Sequence, residues 1–149
     1  MHLRDILHGK GSVVYTIRSD ASLADVVQKL VKNNCGSLVV CDSDCDESER
    51  LMGIITERDI LRACAAGRAP LERTTVAEVM TRDIVVGRFS DDVEVAKRVM
   101  TDKRFRHMPI MQKGKLVGIV SIGDVVRSQL MTIEAEATYL RDYIRGEYG

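Results

Sequence analysis

Two short motifs place a hydroxyl residue three positions before an aspartate, where an apolar strand leads into a helical pattern. Thr56 and Asp59 form the first, the Asp59 junction, and Ser121 and Asp124 form the second, the Asp124 junction. A strand that feeds directly into a helix leaves free backbone N–H groups and the positive end of the helix dipole at that point. A carboxylate on the first turn can also accept two hydrogen bonds from a vicinal diol, as it does for a ribose in other folds. The two junctions are therefore candidate sites for a sugar-containing ligand.

The same spacing also has a purely structural explanation. The hydroxyl can cap the new helix while the acid caps back onto the backbone of the hydroxyl residue. Ser22 with Asp25, and Thr75 with Glu78, fit this pattern without a glycine-containing apolar strand before them. The residues alone leave ligand contact and helix capping open as explanations of the two aspartates.

A basic run of Arg104, Arg106 and His107 stands immediately before a predicted buried strand at 108–112. The planar fork of donors on arginine suits phosphate oxygens, and a histidine adds a further donor. A solvated turn that pairs with surface acids is the structural alternative. The run is therefore a candidate phosphate contact.

Both junctions belong to an internal repeat. Residues 51–62 and 116–127 are identical at five of twelve positions and similar in size and chemistry at five more. Upstream, residues 14–40 align with 84–110 without gaps, and a five-residue insertion in the first copy falls in the polar run 42–50. A repeat of this length predicts two similar units, and a cleft forms between such units when they pack together.

The two copies differ in charge at the candidate positions. The first copy has no charge at residues 34–37, where the second has the basic run, and Arg58 aligns with Gly123. The two candidate sites therefore cannot be equivalent.

Hydrophobic periodicity predicts the same β-α-β-β-α order in each copy. The predicted helices span residues 3–8, 22–34, 56–66, 76–81, 92–103 and 122–145. The predicted strands span residues 13–16, 37–41, 51–55, 84–86, 108–112 and 115–120. We expect an α/β (α+β) fold in which two sheets and their helices share a core. The expected boundaries are domains at 1–67 and 76–130, a linker at 68–75 and a helical tail at 131–149.

The last predicted helix continues well beyond the length of its counterpart in the first copy. Its apolar residues recur at alternating steps of four and three, which forms a seam for another helix surface. A homodimer contact is the expected use of this seam, because isologous pairing is common. Folding of the tail back onto its own core is the alternative. The seam residues are Val126, Leu130, Ile133, Ala137, Leu140 and Ile144.

The composition limits the class of protein. The chain has 149 residues, of which 45% are hydrophobic and 30% charged, an ordinary globular balance. Its 22 basic and 22 acidic side chains cancel, which argues against nucleic acid as the main partner. No apolar run reaches the length of about 18 residues that a membrane span needs, and the N-terminal residues lack an apolar signal core. We therefore expect a cytoplasmic protein with no membrane contact.

The cysteines and histidines form no recognisable reactive motif. The four cysteines lack the paired spacing of a metal site, although Cys41 and Cys45 stand four apart, and all are expected to be reduced. None of the three histidines stands at triad spacing with a serine or cysteine. We expect no metal site and no catalysis.

The doubled motif, with Pro109 in a preceding strand, resembles a tandem pair of CBS domains, the family named after cystathionine β-synthase. The resemblance covers residues 3 to about 130 and occurs in both copies. Further segments are similar to stand-alone bacterial CBS-pair proteins and to their organellar plant relatives. These segments are Lys-Gly-Ser at 10–12, Thr-Glu-Arg-Asp at 56–59, Arg-His-Met-Pro at 106–109, Ser-Ile-Gly-Asp-Val-Val at 121–126 and Leu-Arg-Asp-Tyr-Ile-Arg-Gly at 140–146.

The resemblance implies two units packed about a pseudo-twofold axis, with adenosine-containing ligands in the clefts between the sheets. It assigns the ribose hydroxyls to Asp59 and Asp124, and the ribose or phosphate to Thr56 and Ser121. It also implies that two chains form a flat, disc-like dimer.

The resemblance further assigns phosphate contacts to Arg106 and His107, with Arg58 and Lys10 as weaker candidates. The base would lie among apolar residues and the backbone of the short strands. The remaining expected nucleotide-binding residues are Thr16, Gly36, Ser37, Leu38, Val86, Met108 and Pro109.

The expected function is that of a regulatory or sensor module without chemistry of its own. AMP is the expected ligand, and ATP, ADP, NAD(H) and S-adenosylmethionine are the alternatives. The expected partners are a second copy of the chain, through the CBS helices and the C-terminal helix, and an effector protein that the sequence does not identify. A protein–protein interaction scaffold without a physiological nucleotide is the alternative function.

Overall fold

The computed structural model describes residues 1–42, 51–68 and 70–146. The helices in this part of the chain are α1 (Leu3–Lys10), α2 (Leu23–Asn33), α3 (Glu57–Ala65), α4 (Val76–Val79), α5 (Val93–Lys103) and α6 (Ile122–Arg145), with a 3₁₀ turn at Leu71–Arg73. The strands are β1 (Thr16–Arg18), β2 (Ser37–Cys41), β3 (Leu51–Thr56), β4 (Gly87–Arg88), β5 (His107–Gln112) and β6 (Lys115–Ser121). Each half therefore has the predicted β-α-β-β-α order.

The strands form two three-stranded sheets, in the orders β1-β2-β3 and β4-β5-β6. In each sheet the first strand is parallel to the second, and the second is antiparallel to the third. The register is equivalent in the two sheets, because Ser37 lies opposite Thr56 and His107 lies opposite Ser121. The predicted α+β architecture of two repeated units is confirmed.

Helix α2 shows how the periodic segments become helices. The side chain of Ser22 accepts a hydrogen bond from the backbone N–H of Asp25 at 3.1 Å, which caps the first turn. Leu23, Val26 and Leu30 are buried on one face, as their spacing predicts. Helix α5 buries the corresponding face in the second half.

The buried side chains divide into two cores, one for each sheet. Val76 and Met80, in and directly after α4, belong to the core of the first sheet. Helix α1 comes first in the chain, yet its Leu3, Ile6 and Leu7 belong to the core of the second sheet. Burial of one such aliphatic side chain contributes about 1.5–3 kcal/mol, so α1 is firmly attached to the second half. The grouping of side chains in space thus differs from their order along the chain, and the expected domain boundaries stay predictions.

A glycine in each hairpin lets a segment from outside the repeat, here called the crossing segment, approach the sheet. The crossing segment is the chain at and after α4 in the first half and α1 in the second. A Cβ added to Gly53 would lie 2.6 Å from the carbonyl oxygen of Thr81, whose backbone pairs with Ile54. A Cβ added to Gly118 would lie 2.6 Å from Cδ2 of Leu7. The glycine in each sequence motif therefore has a packing role.

Strands β1 and β4 each begin three residues later than the sequence predicted. The prediction followed short β-branched runs at 13–16 and 84–86. It was wrong because pairing begins where the chain comes alongside the middle strand of its sheet. Thr16 lies opposite Val39 in β2, whereas the side chain of Val13 is 70% exposed.

Helix α6 extends to its predicted end, and its apolar seam faces solvent. In the described part of α6 the buried residue is Val125, while Leu130 is 54%, Ile133 60%, Leu140 58% and Ile144 83% exposed. The tail therefore does not fold back onto its own core, and that alternative was wrong. No described helix, α6 included, is apolar enough over sufficient length to cross a bilayer.

The cysteines depart from expectation at one position. Cys41 is disulfide-bonded, which corrects the expectation that all the thiols are reduced, while Cys35 and Cys64 are free. Cys45 lies outside the described residues, as does most of the polar run 42–50 in which the five-residue insertion falls. Among the described residues, no group of three or more His, Cys, Asp or Glu side chains is placed to hold a metal ion.

We expect Gly53→Ala to lower the free energy of unfolding by about 1–3 kcal/mol, the usual cost of overpacking. The added methyl group would meet a backbone oxygen, which cannot move without breaking the pairing of Thr81 with Ile54. Gly118→Ala is the matched comparison, and its loss should be smaller because its methyl group meets the flexible end of Leu7. Urea denaturation followed by circular dichroism measures both. An equal or larger loss in Gly118→Ala would contradict this account.

Candidate functional site

The two strand-to-helix junctions form capping boxes. The backbone N–H of Thr56 donates to Oδ2 of Asp59 at 3.0 Å, and the N–H of Asp59 donates to Oγ1 of Thr56 at 3.3 Å. The equivalent distances between Ser121 and Asp124 are 2.8 and 3.1 Å. Both aspartates therefore cap a helix. Since the cap uses Oδ2, the other carboxylate oxygen remains available for further contacts.

A cleft of about 440 Å³, the Asp59 cleft, lies beside the first junction. Its walls come from the first turn of α3, from residues 81–85 after α4 and from residues 103–107 between α5 and β5. The first wall belongs to the first half and the last wall to the second half. The cleft thus lies between the two repeats, and its volume is typical of a small-molecule site.

Cations from both halves line the Asp59 cleft. Arg58 and Arg62 come from α3, and Lys103, Arg104 and Arg106 come from the second half. Within the described residues none of these five side chains forms an ion pair. Guanidinium groups without a protein partner are suited to an anion with several oxygens, so this side of the cleft can bind phosphate.

Three carboxylates also line the cleft. They belong to Glu57, Asp59 and Asp83, and Asp59 is 8% exposed. The hydroxyl of Thr81 donates to Oδ1 of Asp59 at 3.3 Å, and no cation in the described chain forms an ion pair with this carboxylate. Because its contacts are all neutral donors, Asp59 is suited to the hydroxyl groups of a sugar.

His107 lies where the two halves meet. A Cβ added to Gly36 would lie 3.3 Å from Nε2 of His107 and 2.7 Å from Oε1 of Glu57, so the glycine leaves room for both side chains. Burial lowers the pKa of His107 below its ordinary value, Glu57 opposes this, and the Lys10 ammonium reinforces it. The imidazole is therefore neutral at neutral pH and can donate one hydrogen bond.

The Asp124 junction carries a cation that the Asp59 junction lacks. The Nζ of Lys10 lies 2.6 Å from Oδ2 of Asp124 and 2.9 Å from the backbone oxygen of Ile119. Burial opposes ionisation of Asp124 most strongly, but the Lys10 ammonium and the Ser121 backbone N–H hold its pKa below its ordinary value. Lys10, a predicted phosphate candidate, thus contacts the second cap acid and does not line the Asp59 cleft.

The predicted nucleotide-binding residues fall into three groups. Those that line the Asp59 cleft are Gly36, Thr56, Arg58, Asp59, Arg106 and His107. Those at the second junction are Lys10, Ser121 and Asp124. Those in neither group are Thr16, Ser37, Leu38, Val86, Met108 and Pro109. The Leu38 and Met108 side chains fill the two cores, so a ligand would reach their backbone, and the base contacts stay predictions.

Several cleft residues were missed in the sequence. They are Leu61, Arg62, Thr81, Asp83, Ile84, Val85 and Lys103. Thr81 reaches Asp59 across 22 positions of sequence, which no local pattern reports. Lys103 had a usable signal, because it extends the basic run by one residue on its N-terminal side.

Comparison with known proteins agrees with the fold and the repeat. The CBS domain family model matches residues 3–66 and 76–131. The mitochondrial CBS domain-containing protein CBSX3 of Arabidopsis thaliana is 36% identical over 132 residues, which are 87% of this chain and 63% of that protein. The chain therefore spans less than two thirds of the length of that relative.

Two solved structures share the fold. The CBS-domain containing protein ATU1752 from Agrobacterium tumefaciens is 34% identical, with a TM-score of 0.80 over 87% of this chain and 99% of that one. The CBS domain pair of protein MJ0100, in complex with 5'-methylthioadenosine and S-adenosyl-L-methionine, is 26% identical, with a TM-score of 0.75 over 89% of this chain and 98% of that one. With both repeats matched and the fold shared, this chain belongs to the CBS-domain family and carries a tandem CBS pair.

Proposed function

We propose that the chain is a regulatory module that binds an adenosine-containing nucleotide in the Asp59 cleft and catalyses no reaction on it. The observation that carries this proposal is the lining of the cleft, which combines a cap carboxylate from one half with arginines from the other. A carboxylate suits the ribose diol and arginines suit phosphate, so the cleft matches the two polar parts of a nucleotide. The adenosine compounds in the MJ0100 complex support adenosine as the nucleoside.

AMP is the favoured ligand, with ADP, ATP, NAD(H) and S-adenosylmethionine as alternatives. Glu57 and Asp83 line the same cleft as the arginines and offset part of their charge. A site with mixed charge favours one phosphate group over a chain of three, because each added phosphate increases repulsion from the acids.

We assign the polar contacts within the cleft residue by residue. Asp59 accepts hydrogen bonds from the ribose hydroxyls, and Thr56 contacts the ribose or the phosphate. Arg106 and His107 contact the phosphate, and Arg58 contributes from the first half. The base lies against the apolar side of the cleft, formed after α4 by Ile84 and Val85, and against the backbone of the short strands.

A homodimer formed through the CBS helices and α6 is part of the proposal. The exposed seam of α6 has the spacing of a coiled-coil face. Glu136 and Arg141 flank this seam five residues apart, the separation at which parallel helices pair such charges. An effector protein would respond to ligand occupancy, and the proposed location is the cytoplasm.

A second candidate function is favoured by the same helix. The apolar side chains of α6 are exposed over several turns, as in a protein–protein interaction scaffold. A scaffold would bind partners through α6 and would need no nucleotide in the Asp59 cleft. Titration of the unmodified protein with AMP, ATP, NADH and S-adenosylmethionine separates the two functions, because a scaffold binds none of them.

We expect Asp59→Asn to weaken AMP binding at least tenfold, since hydrogen bonds to a charged group contribute about 1.5–3 kcal/mol. Isothermal titration calorimetry measures the affinity. Asp25→Asn is the matched control, because Asp25 holds the same capping position on α2 and lies outside the cleft. Equal affinity losses in the two variants would rule out the ribose contact.

We expect Arg106→Ala to weaken binding of AMP more than binding of adenosine, because the guanidinium contacts the phosphate and not the nucleoside. Titrations of both ligands against both proteins give the comparison. Arg98→Ala removes the same charge from the exposed face of α5 and should change neither affinity. Losses of the same size for AMP and adenosine would argue against the phosphate contact.

We expect Leu140→Glu to shift the protein from dimer to monomer, because it places a charge in the apolar seam of α6. Size-exclusion chromatography with light scattering measures the mass. Thr138→Glu adds the same charge away from the seam and should leave the mass unchanged. A dimer that survives Leu140→Glu would show that α6 does not hold the subunits together.

A further inference from the structure

The two capping aspartates, Asp59 and Asp124, each contact a residue from outside their own capping box, and the type of that residue differs between the two junctions. At the Asp59 junction it is the hydroxyl of Thr81, at 3.3 Å. At the Asp124 junction it is the ammonium group of Lys10, at 2.6 Å. Both residues lie at or just beyond the end of a helical segment from outside the repeat, but Thr81 contacts Oδ1, whereas Lys10 contacts Oδ2, the oxygen that also accepts the capping hydrogen bond. A neutral donor leaves the negative charge of the acid in place, whereas an ammonium group offsets it.

The Lys10–Asp124 pair is held in place by its surroundings. The side chains of Lys10 and Asp124 are 31% and 11% exposed, so water screens the pair less than it screens a surface ion pair. Lys10 also donates to the backbone oxygen of Ile119. Its backbone belongs to α1, which Leu3 and Leu7 anchor in the second core. Displacing the ammonium group therefore requires a ligand to break two contacts.

The sequence around the Asp124 junction offers a ligand little in exchange. The residue that aligns with Arg58 is Gly123, and Gly36 and Ser37 align with the basic pair of the second copy. An incoming nucleoside would replace an ion pair with hydrogen bonds from neutral hydroxyl groups. The attraction between two opposite charges adds to the hydrogen bond in the ion pair, and the exchange removes this attraction because a hydroxyl group carries no charge.

We propose that Lys10 is a specificity-determining residue that closes the Asp124 junction to nucleosides, so that each chain binds one nucleotide, in the Asp59 cleft. This inference rests on the proposed function of the Asp59 cleft. The ammonium group of Lys10 lies on Oδ2 of Asp124 and offsets the negative charge that would attract the ribose hydroxyls. It thereby sets the stoichiometry of the tandem pair, although both acids have the same capping geometry.

Equilibrium dialysis with labelled adenosine tests the proposal, because adenosine has no phosphate and its binding does not depend on Lys10 as a phosphate contact. We expect the unmodified protein to bind one equivalent per chain and Lys10→Met to bind two. The double variant Lys10→Met with Asp124→Ala should return to one equivalent. Lys32→Met removes the same charge from the exposed part of α2 and should remain at one.

Lys10→Gln provides a second variant, because its amide can still donate to the Ile119 carbonyl while the charge is lost, and it should also bind two equivalents. Circular dichroism and thermal melting confirm the fold of each variant. Nuclear magnetic resonance should show a higher pKa for Asp124 once Lys10 is replaced, since the ammonium group lowers it.

The outcomes separate this inference from the proposed function. Two equivalents in the unmodified protein would leave the proposed function standing and overturn the role of Lys10. One equivalent in both folded Lys10 variants would overturn it as well. Absence of binding to every adenosine compound would overturn the proposed function together with this inference.

Discussion

The packing of α1 into the core of the second half is the constraint on which the rest of the structure depends. Leu3, Ile6 and Leu7 lie in that core, and the segment at α4 completes the first core in the same way. The core of each sheet is thus completed by a helical segment from outside its own β-α-β-β-α unit. The end of each segment lies beside the capping aspartate of that half. This is how Lys10 reaches the second acid and how the residues after α4 reach the first. The fold therefore couples core formation to the chemistry of both junctions.

Identical capping geometry gives two sites of different character for this reason. A capping box holds Asp59 or Asp124 through a backbone N–H donor, and this backbone donor is equivalent in the two halves. The remaining contact comes from the crossing segment, and its residue type varies freely because capping does not depend on it. A hydroxyl group leaves an acid able to accept further hydrogen bonds, whereas an ammonium group within ion-pair distance offsets the charge. The repeat thus duplicated the framework of the site while the crossing segments determined its charge.

The sequence predicted the features that depend on residues close together along the chain, and it missed those that depend on residues far apart. Helix α2 and strand β2 were predicted closely, because a helical apolar face and a short continuous apolar run both depend on residues a few positions apart. The bounds of β1 and β4 were wrong because a parallel partner strand, distant in sequence, determines where pairing starts. The sequence predicted the helix at 3–8 within the domain expected at 1–67, but no pattern in it indicated that its side chains pack in the core of the second half. The contact of Lys10 with Asp124 joins residues 114 positions apart, so it follows from that core assignment and from no motif. Within the Asp59 cleft, the acid and the basic run were found from local patterns, whereas Thr81 depends on a backbone bridge between the halves.

A backbone hydrogen bond links the cleft residue Arg106, the proposed phosphate contact, to the start of α6. The N–H of Ile122, the first residue of α6, donates to the carbonyl oxygen of Arg106 at 2.8 Å, and His107 lies opposite Ser121, the residue that caps α6. The equivalent contact in the first half begins α3, which is far shorter. Lys103, Arg104 and Arg106 of the cleft therefore belong to the same half as the exposed apolar helix, while Asp59, the proposed ribose contact, belongs to the other half. A ligand shifts a conformational equilibrium only by its difference in affinity for the two states. If the proposed nucleotide contacts both walls of the cleft, it would favour one arrangement of the halves, and α6, hydrogen-bonded to one wall, would move with that wall. Under the proposed function, the exposed seam of α6 is thus the surface through which occupancy of the cleft would reach a second protein.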